Sequence, residues 1–311
     1  MALTVAHAPG KVILFGEHAV VYGRPAVAVP VLDVQATAVV EDALPGSGIT
    51  ITAENLNRTF NLFDAPRDDP LRVIVSATLS RLGVGMKVDL KITVSSAIPI
   101  ARGLGSGAAV STAIARALGE HLGQWLTSRA VSDLVFETEK IHHGTPSGID
   151  NTVIAFEKPV YFVKGKVMDV CWVGRPFQLV IGDTGIVSQT RAAVGEVRAA
   201  LEQDRERYEE IFDEIGTLAH MGREAVEVGD VEAMGRLMDA NHKLLRLIGV
   251  SSPELEGLIE AARQGGALGA KMSGAGRGGN MIAVVRPETV SQVSMMLRMA
   301  GAQNVILTEV R

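Results

Sequence analysis

Short runs of apolar and β-branched residues recur through the first half of the chain and predict strands. These runs lie at 11–15, 26–40, 48–52, 88–95 and 160–163. Longer segments between them space their apolar residues as a helix does, and they lie at 70–82, 106–122 and 128–143. Strands and helices therefore share this half of the chain, as they do in α+β proteins.

From Phe177 onward, fewer strands alternate with long helical segments, which indicates an α+β sandwich. Strands are predicted at 178–182, 280–285 and 304–309, and a helix at 287–300. The charged run at 196–214 reads as the solvated face of a helix. Because short strands give way to long helical segments near Gly174-Arg175-Pro176, we predict an N-terminal domain at 1–175 and a C-terminal domain at 176–311.

A glycine-rich loop, Gly103-Leu104-Gly105-Ser106-Gly107-Ala108-Ala109, leads into the predicted helix at 106–122. Glycines allow a tight turn and a close ligand approach, and the first amides of a helix attract anions. The loop therefore predicts phosphate binding. Gly103, Gly105 and Ala108 also fit the dinucleotide-binding pattern, so the loop alone does not say which phosphate is bound.

A second glycine cluster, Lys271 to Asn280, matches the dinucleotide pattern through Gly274, Gly276 and Gly279. A strand and not a helix follows it, so the dinucleotide reading fails there. The first loop lacks a strand that ends in an acid at the spacing a ribose contact needs, since Glu120 lies within the helix. The P-loop pattern is absent from the sequence.

Charged side chains flank two further turns. Lys11 begins the strand at 11–15, and the turn after that strand carries Glu17 and His18. A cation, an anion and a hydrogen-bonding ring suit a small polar substrate, although each residue alone could be an ordinary surface residue.

Glu139 lies near the end of a predicted helix, where the dipole disfavours a carboxylate and a metal ion would favour one. Asp150 follows a loop rich in Gly, Pro and Ser. His142 and His143 are adjacent on the helix and point about 100° apart, so we do not expect them to share a metal. Two glycine loops with a carboxylate pair imply a polyphosphate with Mg²⁺.

Composition narrows the functional classes. The formal net charge of −5 does not indicate the basic surface that nucleic-acid-binding proteins need, which argues against nucleic acid as the main partner. The single cysteine, Cys171, excludes an internal disulfide and is expected to be buried. Residues 1–10 lack a signal-peptide pattern, and no apolar run reaches membrane-spanning length, so we expect a soluble cytoplasmic protein with no membrane partner.

Three motifs in order, Pro9–Gly23, Pro99–Ala109 and Lys271–Gly279, make the chain resemble the GHMP kinases over nearly its whole length. Within that family it is most similar to the mevalonate kinase branch, through the segments 16–23 and 143–150. The resemblance implies a two-domain fold with a ribosomal-protein-like N-terminal domain and a ferredoxin-like C-terminal domain. It also implies ATP-dependent phosphorylation of the primary hydroxyl of mevalonate, with Mg²⁺ as cofactor, by a homodimer.

The resemblance assigns a role to each motif. It implies that the ATP phosphates are bound by residues of both glycine loops, namely Pro99, Gly103, Leu104, Gly105, Ser106, Gly107, Ala108, Ala109, Ser273, Gly274 and Gly276. Ser106 and Glu139 would hold Mg²⁺. Asp150 and Lys11 would be catalytic, and the substrate would be bound by Glu17, His18 and Thr190.

Two positions depart from the commonest family pattern. Gly107 replaces a second serine, which puts one hydroxyl contact to phosphate in doubt. Arg277 stands where glycine is frequent, and its side chain either reaches a phosphate or is solvated. The alternatives are another GHMP enzyme, such as a small-alcohol kinase or a mevalonate-type decarboxylase, and a noncatalytic sensor on the same scaffold.

Overall fold

The structure is a computed structural model that describes residues 2–143 and 146–311, without the side chains of His142 and His143. Two compact units interleave along the chain. The first comprises Met1–Gly10, Val34–Pro99 and Gly105–Glu157, and the second comprises Lys11–Asp33, Ile100–Leu104 and Lys158–Arg311. The predicted domain boundary after residue 175 stays a prediction.

The first unit combines a sheet with helices. Its elements are β1 (Leu3–Phe15) and β2 (Ala26–Asp42), each of which also has residues in the second unit, followed by β3 (Ile49–Ala53), β4 (Arg58–Asn61), α1 (Pro70–Arg81), β5 (Leu90–Ser96), α2 (Ser106–His121), α3 (Ser128–His143) and α4 (Ile149–Phe156). The strand order is β4-β3-β5-β2, with β3 parallel to β5 and the other pairs antiparallel. Helices α2 and α3 each pack against the other three helices of this unit, and α2 also packs against β5.

The second unit contains a four-stranded antiparallel sheet in the order β11-β8-β10-β9. Its elements are β6 (Val160–Phe162), β7 (Asp169–Val170), β8 (Phe177–Asp183), α5 (Thr190–Gln203), α6 (Arg205–Val228), α7 (Val231–Leu247), α8 (Pro253–Gln264), β9 (Gly269–Ser273), β10 (Asn280–Val285), α9 (Val290–Met299) and β11 (Asn304–Val310). Every residue of β10 is buried, as expected for a central strand covered on both faces. The hydrophobic core of the second unit includes Phe212, Leu245, Ile259 and Met281.

Most of the predicted elements are confirmed, and the differences have local causes. The pattern missed β4, β7, β9 and α4, which are short or follow glycine. The charged run at 196–214 is not one helix, because α5 ends at Gln203 and Asp204 caps α6 by accepting a hydrogen bond from Arg207 N. Cys171 is buried as expected, and burial raises the pKa of its thiol to about 12. Among the described residues, no helix has the length and apolar character needed to cross a bilayer.

Candidate active site

The first glycine loop adopts the predicted geometry. Gly103 and Gly105 have φ of 87° and 73°, a left-handed conformation that favours glycine, and α2 begins at Ser106. Ala109 N donates to Gly105 O at 2.9 Å, so the amides of residues 106–108 precede the helical hydrogen-bond ladder. Such amides can bind an anion. Leu104 is buried and anchors the loop.

Ser106 and Glu139 lie on helices that pack together, α2 and α3. Glu139 is only 3% exposed, and its neighbour Thr138 donates a hydrogen bond to Ser111 Oγ on α2 at 3.3 Å. A hydroxyl and a carboxylate are oxygen donors that fit Mg²⁺, which usually takes one or two protein ligands and completes its shell with phosphates and water. Clusters of three or more His, Cys, Asp or Glu suited to a metal are absent from the described part of the chain.

Asp150 lies in the first turn of α4, half-buried, after Gly148, which has φ of 93°. The helix is held to α3 because Asn151 Nδ2 donates to Ser132 Oγ at 2.9 Å. This side-chain anchor fixes the turn that carries Asp150. Part of the preceding loop, at residues 144–145, and the side chains of His142 and His143 lie outside the described residues, so the expectation about a shared histidine metal stays a prediction.

Lys11 belongs to the second unit and is 3% exposed. Its backbone N donates to Leu104 O at 3.0 Å, so the start of this segment lies beside the glycine loop. Ser273 lies next to the same segment: Ile13 N donates to Ser273 Oγ at 3.0 Å, and that hydroxyl donates to Ile13 O at 3.2 Å. A Cβ on Gly103 would lie 3.3 Å from Ser273 O, so both glycine motifs approach closely here.

The Glu17-His18 turn is enclosed. Glu17 is 1% exposed and forms a buried ion pair with Lys271. His18 has φ of 61°, a strained conformation for a residue with a side chain. Its Nε2 lies 3.0 Å from Ala275 O in the second glycine loop, and burial lowers the pKa of its ring from 6.5 to about 4. The ring is therefore neutral near pH 7 and donates to this carbonyl.

Thr190 is half-buried at the start of α5, and its N donates to Ser188 O at 3.1 Å. Ser188 N donates to Ala101 O at 2.9 Å, and Ser188 Oγ donates to Gly276 O at 2.9 Å. The structure thus brings Thr190 close to both the Ile100–Leu104 segment and the second glycine loop.

The second glycine loop has little room for larger residues. A Cβ on Gly276 would collide with Val250 O, and one on Gly279 would lie 2.7 Å from Arg102 O. Arg277 has φ of 57°, and its guanidinium forms an exposed ion pair with Glu196 on α5. The side chain is therefore partly exposed at the surface, and the choice between phosphate contact and solvation stays open.

Lys271 and Asn241 were missed by the sequence reasoning. Lys271 is fully buried on β9, and Asn241 on α7 accepts a hydrogen bond from Gly16 N at 3.2 Å. The lysine could have been noticed as a charge between the apolar residues that precede Ser273. Asn241 gives no sequence signal, since a single amide in an amphipathic helix is ordinary.

The predicted site residues fall into two sets. The first unit holds Pro99, Gly105, Ser106, Gly107, Ala108, Ala109, Glu139 and Asp150. The second unit holds Lys11, Glu17, His18, Gly103, Leu104, Thr190, Ser273, Gly274 and Gly276. Within the second set, hydrogen bonds and close backbone contacts join the first strand, the start of the glycine loop and the second glycine loop. The roles assigned to these residues stay predictions.

Comparisons with known proteins agree with these motifs. The family described as GHMP kinases N terminal domain matches residues 71–158, and the family GHMP kinases C terminal matches residues 223–301. The curated mevalonate kinase of Thermococcus sibiricus is 34% identical, with 97% of this chain and 95% of that protein covered.

Solved structures give the same result. The L. major mevalonate kinase, solved in complex with R-mevalonate, superposes with a TM-score of 0.83 at 29% identity and covers 100% of this chain and 96% of its own. The Methanococcus jannaschii mevalonate kinase gives a TM-score of 0.85 at 26% identity, over 99% and 98% of the two chains. The chain belongs to the GHMP kinase family, in the branch of the mevalonate kinases.

Proposed function

We propose that this protein transfers the γ-phosphoryl group of ATP to the primary hydroxyl of mevalonate, giving 5-phosphomevalonate and ADP. The observation that carries the proposal is the group of short contacts in the second unit. Lys11 is bonded through its backbone to Leu104, and Ser273 O approaches Gly103 closely. A cationic residue and two glycine motifs in contact form a surface suited to phosphate, and near-full-length relatives with this activity support the substrate.

The nucleotide phosphates are assigned to the two glycine motifs. The amides at the start of α2 face the phosphates, and Ser273, Gly274 and Gly276 contribute the second loop. Ser106 and Glu139 would hold Mg²⁺, which fits their oxygen donors and the burial of Glu139. When bound, Mg²⁺ supplies charge neutralisation on the phosphate oxygens. Gly107 has no hydroxyl, so it contributes only its backbone amide to phosphate binding.

Asp150 and Lys11 are assigned to the transfer. Asp150 accepts or orients the proton of the substrate hydroxyl, and Lys11 stabilises the charge on the transferring phosphoryl group. The transition state of phosphoryl transfer is loose, so a strong base is not required. Positioning can lower the barrier by roughly 7–11 kcal/mol, whereas a general base contributes about 10²- to 10⁴-fold in rate, or some 3–5 kcal/mol. The loops therefore contribute more than the carboxylate.

Glu17, His18 and Thr190 are assigned to the substrate pocket. Glu17 and His18 are almost fully buried, and half-buried Thr190 keeps a hydroxyl for a polar contact with the substrate. The resemblance also supports a homodimer, for which light scattering would give about twice the chain mass of 32.9 kDa.

A substrate panel tests the proposed function. The purified protein is incubated with Mg-ATP and mevalonate, phosphomevalonate, homoserine or galactose, and products are identified by mass. We expect phosphorylation of mevalonate with the highest kcat/KM. A preference for another alcohol would favour a related small-alcohol kinase, release of carbon dioxide would favour a decarboxylase, and binding without turnover would favour a sensor.

A further inference from the structure

Lys271 is a fully buried lysine on β9 that the proposed chemistry does not use. Its Nζ donates to a carboxylate oxygen of Glu17, to Met272 O at 2.6 Å, and to Ile13 O at 3.5 Å. An ammonium group has three hydrogens, and each has an acceptor here. The lysine therefore joins the second glycine motif to the end of β1 and to the turn that follows, all within the second unit.

The Glu17 carboxylate is enclosed by the chain. Its side chain is 0% exposed, and Oε2 has no hydrogen-bond partner among the described residues. Burial raises the pKa of Glu17 and lowers that of Lys271, and their mutual attraction opposes both shifts. A substrate atom cannot reach an oxygen that is sealed from solvent, so in this structure the carboxylate binds Lys271 and not the substrate.

The pair fixes a turn whose backbone is strained. Gly16 has φ of 100°, and a Cβ there would collide with Pro25 and Ala26. His18 has φ of 61°. A strained residue such as His18 persists only where its surroundings hold it. The residues that hold this turn are Asn241, which accepts a hydrogen bond from Gly16 N, and Lys271, which binds Glu17, the residue before His18.

Lys271 also contacts β1, the strand that carries Lys11. Ile13 O accepts from both Lys271 Nζ and Ser273 Oγ, and Ile13 lies two residues after Lys11 on β1. In a strand, residues two apart point to the same face, so a shift at residue 13 moves the side chain of Lys11 with it.

We propose that Glu17 and Lys271 are positioning residues that work as one unit: their buried pair holds the Gly16–His18 turn and the end of β1 in place, and neither side chain touches the substrate. This inference rests on the proposed function and changes the role of Glu17 within it from contact to support. It goes beyond the sequence-based assignment, which placed Glu17 against mevalonate.

Replacing one member of a buried pair leaves an uncompensated charge, whereas replacing both members with neutral groups of similar size is tolerated far better. This difference between single and double replacements distinguishes a positioning role of Glu17 from direct contact with the substrate. The test compares the parent with Glu17→Gln, Lys271→Met and the double variant, and measures kcat, both KM values and Tm.

We expect each single variant to raise the KM for mevalonate about tenfold or more, because displacements of about 1 Å in a substrate site cost large factors. The KM for ATP should stay within about twofold, and the double variant should return to within about threefold of the parent KM for mevalonate. If the double variant keeps the defect of Glu17→Gln while its Tm recovers, Glu17 contacts the substrate and the inference is wrong. If the single variants lower Tm alone, the pair is only structural and the inference is also wrong.

The matched control is Arg263→Met. Arg263 pairs with Asp239, whose carboxylate accepts from Ala270 N at 3.1 Å, one residue before Lys271. This change loosens the same strand without removing the charge of Lys271, so the KM for mevalonate should stay within about twofold of the parent. A tenfold rise in the control would attribute the effect to general loosening of β9 and would overturn the inference.

Hydrogen exchange of residues 16–22 provides a readout independent of turnover. We expect faster exchange in both single variants and recovery in the double variant. If the parent fails to phosphorylate mevalonate, the proposed function is wrong, and exchange alone decides whether the pair holds the turn. Unchanged exchange in the single variants would overturn the holding role even in an active enzyme.

Discussion

Lys11 illustrates how a single residue combines the chemistry and the fold. It is 3% exposed, yet it lies in the segment that contacts the start of the glycine loop through Leu104. A charge in such a place is retained only where other groups compensate it. The sequence could indicate Lys11, because it stands at the edge of an apolar strand inside a recognisable motif.

Substitution of Asp150 and Lys11 tests the roles proposed for them. Asp150→Asn removes the proton acceptor and Lys11→Met removes the positive charge, so each should lower kcat for mevalonate phosphorylation by about 10²-fold or more. Steady-state kinetics with saturating ATP measures this. Near-parental kcat in both variants would show that the catalytic assignment is wrong.

His18 gives a prediction about pH and stability. Its pKa is about 4 in the folded protein and 6.5 as an ordinary value, so the unfolded chain binds the proton more readily. The stability that neutral His18 contributes is therefore full above pH 6.5 and is lost as the pH falls toward 4.

Urea unfolding at pH 8 and pH 5 measures this loss, which for His18 should be about 2 kcal/mol. The His18→Gln variant should lack that part of the pH dependence, whereas His220→Gln, at an exposed position of α6, should retain it. An identical pH dependence in the parent and His18→Gln would contradict the assignment of a neutral buried ring.

Lys271 marks the limit of prediction at the residue scale. Its charge was visible in the sequence, but its partner Glu17 is far away in the chain. The pairing depends on the antiparallel register of β9 with β10 and on how β1 ends, and neither follows from local pattern. Buried ion pairs between distant segments are therefore the part of this site that local sequence reasoning misses.

At the scale of elements, long periodic segments were predictable and short ones were not. Helix α2 is confirmed within one residue of its predicted range. Helix α4 was not predicted, because it is short and follows a loop rich in Gly, Pro and Ser, although Gly148 in a left-handed conformation precedes its first residue. Strand β9 was missed because Gly269 and Lys271 interrupt its apolar pattern.

The packing of α6 against the end of β1 gives a prediction at this scale. A Cβ on Gly222 would collide with the buried ring of Phe15, the residue before Gly16. Gly222→Ala should destabilise the protein by about 1–3 kcal/mol through overpacking, and it should raise the KM for mevalonate because it displaces the turn. Thermal unfolding and steady-state kinetics measure the two effects.

Gly195→Ala is the matched control, since a Cβ at this position of α5 would meet no atom within 4 Å. The same substitution there should stabilise the protein by about 0.5–1 kcal/mol, because alanine favours a helix. Equal effects at the two positions would contradict the packing of Phe15 against α6.

At the scale of the whole molecule, the sequence indicated an α+β protein of two parts, and the family comparisons confirm a two-domain GHMP kinase fold. The change from short strands to long helical segments near residue 175 suggested a single domain boundary. That boundary stays a prediction, and the compact units of the structure interleave along the chain, because β1 and β2 each contribute residues to both. Such exchange depends on long-range strand pairing and leaves no mark on local composition.

The fate of the phosphoryl group tests the proposed transfer from ATP to mevalonate most directly. The protein is incubated with Mg-ATP and mevalonate labelled with ¹³C at C5, and the mixture is followed by ³¹P and ¹³C NMR. We expect one phosphomonoester, bonded to the oxygen on C5, formed in equal amount with ADP and without carbon dioxide. ATP consumption without that product, or a phosphate at any other oxygen, would contradict it.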